Sequence, residues 1–233
     1  LFIEKPPCQS LEELAQLMDL QKEHDTIVEV GLQKRNSPIM RILQKELKKS
    51  KGAVCYNLKY LTGAYPEGDA LLDLFIHPLD CMTYLFGEAQ VKSAASVENH
   101  TLMLILEHHC ATGILELSTG YSWSDAKEHW TINTDRGVYE MDQFDNLTLR
   151  HKSRIIMGIP MEKVFPCGKT TVSLLERNNF VPLQMNNQIV FQGYYDTIKG
   201  FVDAVEGKKT CALSSLEHLT HTYSLIENIR ALI

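Results

Sequence analysis

Several features that often reveal a function directly are missing from this chain of 233 residues. It contains no glycine-rich loop of the kind that cradles a phosphate, and its six cysteines include no CxxC pair. Cysteines scattered in this way indicate reduced thiols, and therefore a cytoplasmic protein, rather than a disulfide framework. No apolar run approaches the roughly 20 residues needed to cross a bilayer, so no membrane partner is expected.

Strong positive charge is also absent. The net charge is −6, and the most basic segment, Lys45–Lys51, falls at the end of a predicted helix, where the helix dipole favours cations. Nucleic acid is therefore not an expected partner. The apolar content of 44% is enough for a substantial core. Because residue 1 is not methionine and a strand is already under way there, we expect a piece of a longer chain.

The first 31 residues predict a strand, a helix and a second strand. Leu1–Glu4 is apolar and is stopped by two prolines, and Thr26–Gly31 is again rich in β-branched residues. Between them, Ser10 and Glu13 have the spacing of a capping box that opens a helix. This order is typical of a parallel α/β sheet.

The rest of the chain changes character. After a helix that starts at Ser37-Pro38, alternation of apolar residues predicts strands, and residues 102–121 and 129–142 each read as an antiparallel hairpin. One continuous helix is expected to carry Asp73 and His77 and to end at Gly87. Two helices are expected to close the chain. The first, Tyr194–Glu206, is expected to turn an apolar stripe inward; its members are Tyr195, Ile198, Phe201, Val202 and Val205.

Three residues combine into a candidate site. Lys5 follows the first strand, and ligands of open parallel sheets bind at the carboxyl ends of strands. Asp73 and His77 are four residues apart, a spacing that puts both on one face of a helix. Histidine exchanges a proton near neutral pH, and a carboxylate beside it orients the ring. We expect Lys5 to lie within reach of His77, and the Lys5-Pro6 peptide bond to be cis.

Other interpretations of these residues stay open. Lys5 also fits a surface turn, and Asp73 with His77 also fits ordinary charges at a helix start. A metal site made of Asp73, His77 and Asp80 is a further alternative, although Asp80 lies a full two turns from Asp73. Trp123 is placed either to stack on a sugar or to anchor an oligomer interface.

The order of these motifs resembles the glucose–fructose oxidoreductase/inositol dehydrogenase/MocA family of NAD(P)-dependent oxidoreductases. Glu4-Lys5-Pro6 comes first, Val28–Gly31 with Arg35 follows, and Asp73 and His77 precede a long antiparallel stretch. The resemblance covers essentially the whole chain. It implies a large, mostly antiparallel open sheet backed by helices, preceded by a strand–helix–strand remnant of a Rossmann sheet.

The resemblance also implies a role for each part of the chain and for each site residue. Residues 1–35 would be the remnant of the dinucleotide-binding domain, and 36–233 the domain for substrate binding and oligomerisation. Lys5, Asp73 and His77 would be catalytic, with His77 as the acid/base, and Glu4, Lys5 and Pro6 would contact the cofactor. Arg35 and Trp123 would bind a sugar, inositol or related polyol. The open sheet would build a homodimer or homotetramer.

Two departures from the family pattern affect this interpretation. The phosphate loop would lie before Leu1, so NAD or NADP would be held mainly by missing sequence, and this chain alone is expected to be inactive. Phe75 stands where the family often has glycine, and its ring is expected to narrow the pocket. Both departures favour a second hypothesis, a non-catalytic binding or assembly module. The third hypothesis is a metal-dependent hydrolase or isomerase that uses Asp73, His77 and Asp80.

Overall fold

A computed structural model describes residues 1–165, 170–177, 187–208 and 214–233. The chain opens with strand β1 (Phe2–Ile3), helix α1 (Leu11–Glu23) and strand β2 (Glu29–Val30). The two strands pair in parallel, as predicted. Helix α1 begins where the capping residue stands, since the Ser10 hydroxyl accepts from the backbone N–H of Glu13.

A short 3₁₀ turn, Gln33–Asn36, leads from β2 into helix α2 (Pro38–Leu47). Strand β3 (Val54–Leu61) then enters the main sheet. Two helices follow in quick succession, α3 (Ala70–Asp73) and α4 (Ile76–Phe86). Gly87 ends α4 with φ of 81°, a backbone conformation that glycine adopts without a steric penalty.

The main sheet of the described residues has eight strands, in the order β12-β9-β8-β7-β3-β6-β5-β4. The seven strands besides β3 have these bounds: β4 (Ala89–Val97), β5 (Thr101–His108), β6 (Ala111–Ser118), β7 (Lys127–Thr134), β8 (Gly137–Asp142), β9 (Asn146–His151) and β12 (Thr171–Glu176). All neighbours are antiparallel except β3 and β6. A separate small hairpin joins β10 (Ile155–Ile156) to β11 (Ile159–Pro160).

Helices cover one face of this sheet. The remaining helices are α5 (Gln188–Phe191), α6 (Tyr194–Val205) and α7 (Thr220–Arg230). Side chains from α2, α4 and α7 join the inward-pointing residues of the strands in one hydrophobic core. The other face stays open. The fold class expected from the sequence, a large mostly antiparallel open sheet backed by helices after a strand–helix–strand unit, is confirmed.

The structure differs from the sequence analysis in two places. Strands β4 and β12 lie in segments for which no strand was predicted. In α6 four of the five residues of the predicted apolar stripe face outward: Tyr195, Ile198, Val202 and Val205 are 44–58% exposed. The fifth, Phe201, is partly buried and its ring packs against Phe2, while Thr197 and Asp203 are buried. Thr197 is buried because its hydroxyl accepts from the Asn36 side chain. Among the described residues, no helix is both long and apolar enough to span a bilayer.

Candidate active site

Lys5 lies at the carboxyl end of β1, where the sequence placed it, and its peptide bond to Pro6 is cis, as predicted. Its ammonium group donates a hydrogen bond to the main-chain oxygen of Asp73. This is the one hydrogen bond that the described residues show for Lys5, so it has donors left for a ligand. Burial lowers the Lys5 pKa; the charges of Asp73 and Glu4 oppose that shift, and Lys34 adds to it.

Asp73 ends helix α3 next to Lys5. Its carboxylate accepts a hydrogen bond from the Tyr65 hydroxyl at 3.3 Å. A Cβ at Gly68 would stand 2.4 Å from the same carboxylate oxygen, so that position needs a residue without a side chain. The loop of residues 65–68 therefore holds Asp73 in place beside the Lys5 ammonium.

His77 lies in the first turn of α4 and is buried, with 8% of its surface exposed. Burial lowers its pKa well below 6.5, and the positive charges of Lys34 and Lys5 lower it further. The ring is therefore neutral at physiological pH and able to accept a proton. Its Nδ1 atom has no hydrogen-bond partner among the described residues, so no protein group there selects a tautomer.

Asp73 and His77 do not share a helix face, which corrects the expectation of one continuous helix. Helix α3 ends at Asp73, α4 begins at Ile76, and Phe75 caps the second helix. Phe75 is also not at the site surface. Its ring is 5% exposed and packs edge-on against Tyr60 at 6.2 Å, so it supports a cavity residue from behind instead of narrowing the pocket directly.

His77 lines a cavity of about 250 Å³. The same cavity is lined by the following residues: Gln33, Lys34, Tyr60, Leu61, Thr62, Trp123, Ala126, Lys127, Glu128, Gln143, Gln192 and Tyr194. Trp123 is 54% exposed there, and its indole N–H donates to the Ala64 carbonyl oxygen at 2.9 Å. The indole is thus fixed at the cavity mouth with much of its ring uncovered, an arrangement that suits stacking on a ligand.

Three charged cavity residues, Lys34, Lys127 and Glu128, were missed by sequence reasoning. Lys34, in the 3₁₀ turn, and Glu128, on β7, form a buried ion pair 94 positions apart. One signal for Glu128 was available: it occupies the same inward-facing register of β7 as Trp130 and Ile132, where a charge is unusual. Lys34 carried no comparable signal because it lies in a turn.

Arg35 is placed in the protein interior and not at the cavity. Its guanidinium, 2% exposed, donates to the Asp80 carboxylate, with Nε to Oδ2 at 2.7 Å, and to the main-chain oxygen of His218. Asp80 is thereby used in an ion pair. The metal interpretation with Asp73, His77 and Asp80 is therefore wrong, and the described residues contain no group of three or more potential metal ligands.

Glu4, expected at the cofactor, is exposed at the end of β1, and its carboxylate lies against Gly31 of the neighbouring strand. Pro6 is half-buried. The carboxyl end of the small parallel sheet thus presents Glu4 and Lys5 side by side, next to Asp73. This arrangement offers hydrogen-bond donors and acceptors for hydroxyl groups, with a neutral histidine a short way into the fold.

Comparisons with known proteins define the fold further. No protein-family model matches the chain, and no curated protein sequence matches it. Among solved structures, it is similar to a dehydrogenase from Chromobacterium violaceum (TM-score 0.78, 20% identity), covering 99% of this chain and 68% of that one. It is also similar to the UDP-N-acetylglucosamine 3-dehydrogenase GnnA from Acidithiobacillus ferrooxidans (TM-score 0.73, 16% identity), covering 100% and 70% of the two chains.

A Gfo/Idh/MocA family oxidoreductase from Vibrio cholerae is a third such structure (TM-score 0.67, 17% identity, covering 99% of this chain and 70% of that one). Two further structures with this fold contain NAD+ with L-tartaric acid, or NAD with alpha-ketoglutarate. At these identities the likeness establishes a shared fold. The structural neighbours are thus dehydrogenases and oxidoreductases of the type that the motif order resembled.

Proposed function

We propose that the chain is the part of a Gfo/Idh/MocA-type oxidoreductase that binds substrate and carries the catalytic residues. The reaction would oxidise a CH–OH group of a sugar, inositol or related polyol. The observation that carries this proposal is a neutral, buried histidine at a cavity, whose pKa is lowered further by the charge of Lys5, a residue bonded to the Asp73 main chain at a strand end.

In this mechanism His77 accepts the proton of the substrate hydroxyl. Its lowered pKa keeps the ring unprotonated, as a base must be before the reaction. Lys5, fixed by the Asp73 carbonyl, donates a hydrogen bond to the substrate oxygen, and its positive charge favours the developing alkoxide. Asp73 positions Lys5, and Trp123 covers one face of the bound ring.

NAD or NADP would supply the chemistry of accepting the hydride that leaves the same carbon. The residues present fit the nicotinamide end of such a cofactor, because Lys5 keeps unused donors at the end of a parallel strand. Glu4, Lys5 and Pro6 would contact it there. Residues 1–35 would then be the edge of a dinucleotide-binding domain and 36–233 the substrate domain. Sequence outside this chain would hold the pyrophosphate.

The open face of the sheet would join copies of the chain into a homodimer or homotetramer. It exposes large apolar side chains on its central and edge strands, among them Met103, Ile105 and Ile114, each 38–48% exposed. Exposed apolar side chains grouped in this way are typical of protein–protein contacts. The described cysteines are all free thiols, which supports a reducing compartment such as the cytoplasm.

A non-catalytic module of the same fold is the second candidate. Its support is the sequence departure at Phe75, together with the absence of a glycine-rich phosphate loop from the sequence. The buried position of the Phe75 ring weakens the first of these points, because the ring leaves the cavity open.

The test is reduction of NAD+ or NADP+ at 340 nm by the full-length protein with a panel of sugars, inositols and sugar nucleotides. His77→Asn should lower kcat/KM by about 10²- to 10⁴-fold, the usual contribution of a general base. The matched control is His100→Asn, an exposed histidine paired with Glu98 outside the cavity. No reduction with any compound, or equal activity of His77→Asn and wild type, would favour the non-catalytic module.

A further inference from the structure

The Lys34–Glu128 ion pair forms part of the cavity wall. The Lys34 ammonium binds one Glu128 oxygen and lies 4.9 Å from the centre of the Tyr60 ring and 5.0 Å from that of Phe144. Burial is the largest single influence and pulls the Lys34 pKa down, but the attraction and hydrogen bond to Glu128, with Tyr60 and Cys81, together leave the pKa raised. Lys34 is therefore charged, and aromatic faces on two sides confine it.

Glu128 is held from its backbone as well. Its N–H donates to the Gln143 side-chain oxygen at 3.1 Å, and its carbonyl oxygen accepts from the Gln143 N–H at 2.9 Å. Yet its second carboxylate oxygen, Oε1, has no partner among the described residues although the side chain is only 8% exposed. An unpaired buried carboxylate oxygen lowers the stability of the fold, so its presence calls for an explanation.

We infer that this oxygen is a substrate contact: Glu128, positioned by Lys34, accepts a hydrogen bond from a second hydroxyl of the substrate while His77 receives the proton of the first. The inference rests on the proposed function and names its substrate class, neutral compounds with at least two hydroxyl groups. Glu128 lines the cavity, and the last side-chain torsion of glutamate is broad, so a small rotation brings the unpaired oxygen to the cavity wall while the other oxygen stays on Lys34.

Charge selects a neutral partner at this position. A carboxylate placed there would face the lone pairs of Glu128 and be repelled. An ammonium group would be repelled by Lys34 and by Lys127, which also lines the cavity. A hydroxyl donates the missing hydrogen bond without adding a charge to a buried site.

The test compares binding of myo-inositol, D-glucose and L-tartrate to the full-length protein by titration calorimetry. Wild type should bind at least one of the two polyols and should bind L-tartrate less tightly. Glu128→Gln should weaken polyol binding about 10- to 100-fold, as expected for loss of a hydrogen bond to a charged acceptor. Glu107→Gln is the matched control, since Glu107 is ion-paired with Lys92 on the exposed β4–β5 strands.

Glu128→Gln also leaves Lys34 buried without its counter-ion, so a second variant guards against misfolding. Lys34→Met with Glu128→Leu replaces the whole pair by apolar side chains, a change that folded proteins commonly tolerate. It should fold and show the same loss of binding. Adding back a neutral acceptor, in Lys34→Met with Glu128→Gln, should recover part of that loss.

The outcomes separate this inference from the proposed function. Polyol binding that depends on Glu128, without any reduction of nicotinamide, would overturn the proposed reaction and support the subsite. Nicotinamide reduction with unchanged binding in the Lys34→Met/Glu128→Leu variant would overturn the subsite and leave the reaction. A wild type that binds neither polyol, or prefers L-tartrate, would also overturn the subsite.

Discussion

Lys34 and Arg35 are consecutive residues in one 3₁₀ turn, and both are buried cations paired with a carboxylate, yet their surroundings differ. Arg35 binds both oxygens of Asp80 and the His218 carbonyl, and the Thr222 hydroxyl also donates to Asp80 at 3.0 Å. Lys34 binds one oxygen of Glu128, a residue that lines a cavity, and the other oxygen is buried and unpaired among the described residues.

The difference separates two uses of a buried charge. The Arg35–Asp80 network uses both carboxylate oxygens of Asp80 within the protein and joins the 3₁₀ turn to α4 and α7. The Lys34–Glu128 pair leaves one carboxylate oxygen without a partner among the described residues. His77, which lines the same cavity, also has an unpaired ring nitrogen. Buried polar groups that the fold leaves unsatisfied beside a cavity are candidates for ligand contacts.

The largest predicted effect concerns the stability that each of the two ion pairs contributes. Asp80→Ala leaves a fully buried guanidinium without its counter-ion and should lower the free energy of unfolding by about 3–5 kcal/mol. Glu128→Ala should cost less, about 1–3 kcal/mol, because Glu128 accepts fewer hydrogen bonds than Asp80 and its partner Lys34 lines the cavity. Urea denaturation of both variants measures the two values. An equal loss of unfolding free energy in the two variants, or a larger loss for Glu128→Ala, would contradict this distinction between the two ion pairs.

Glu29 is a counterexample to the link between an unpaired buried polar group and a ligand site. It is buried away from the candidate site, and its Oε2 atom is unpaired, as is the Ser214 hydroxyl oxygen next to it. Burial raises the Glu29 pKa from 4.5 to about 7, against the backbone hydrogen bond from Ser214 and the charge of Arg35. Here the unsatisfied group is a carboxyl that keeps its proton, and no ligand is needed.

The sign of the pH dependence follows from that shift. Between pH 4.5 and about 7 the folded protein holds a proton that the unfolded chain releases, so Glu29 makes stability fall as pH rises. Above pH 7 this loss is complete, at most about 3 kcal/mol. Glu29→Gln should therefore raise the free energy of unfolding at pH 8 and change it little at pH 4.5. A variant less stable than wild type at pH 8 would show that the charged form is needed.

The pH dependence of kcat/KM provides the next test, and the account predicts the direction in which the His77 pKa shifts. Its lowered pKa places the acid limb of the kcat/KM profile well below pH 6.5. Lys34→Met with Glu128→Leu removes one of the positive charges that lower this pKa, so the limb should move to higher pH. The matched variant Lys92→Met/Glu107→Leu should leave it in place. A limb that stays fixed in both variants would mean that Lys34 does not act on His77.

The smallest effect on stability is expected on the open face of the sheet, which contrasts with the face that the helices cover. Replacing Ile105 and Ile114 by lysine should change the free energy of unfolding by no more than about 0.5 kcal/mol each, as for exposed positions generally. The same change should dissociate the proposed oligomer, measured by light scattering. A wild type that is monomeric at high concentration would refute assembly through this face.

Much of the fold was predictable because it depends on local signals. Capping at Ser10 and Ser37 and alternation in the strands located most elements correctly. The outward stripe of α6 was misjudged because periodicity shows that one face is apolar but not which neighbour covers it. The break after Asp73 was missed because residues 70–86 contain no glycine and only one proline, Pro78 inside α4.

The candidate site was predictable only in part for a related reason. The motif order pointed to Lys5, Asp73 and His77, and the structure brings Lys5 to Asp73 and puts His77 at a cavity. Glu128 reaches this cavity because β7 pairs with β3, a contact between residues about 70 positions apart that composition does not reveal. Arg35 is an ordinary basic residue in the sequence, and only the position of Asp80 shows that it is buried and paired.

The most direct measurement is a crystal structure of the full-length protein with NAD+ and the polyol that it binds most tightly. The predicted result places one substrate hydroxyl within about 2.6–3.2 Å of the His77 imidazole, the range for proton transfer. A second hydroxyl should lie at hydrogen-bonding distance from Glu128, with Trp123 against the ring. A polyol bound away from His77, with the cavity between Lys34 and Trp123 unused, would contradict both the proposed reaction and the proposed subsite.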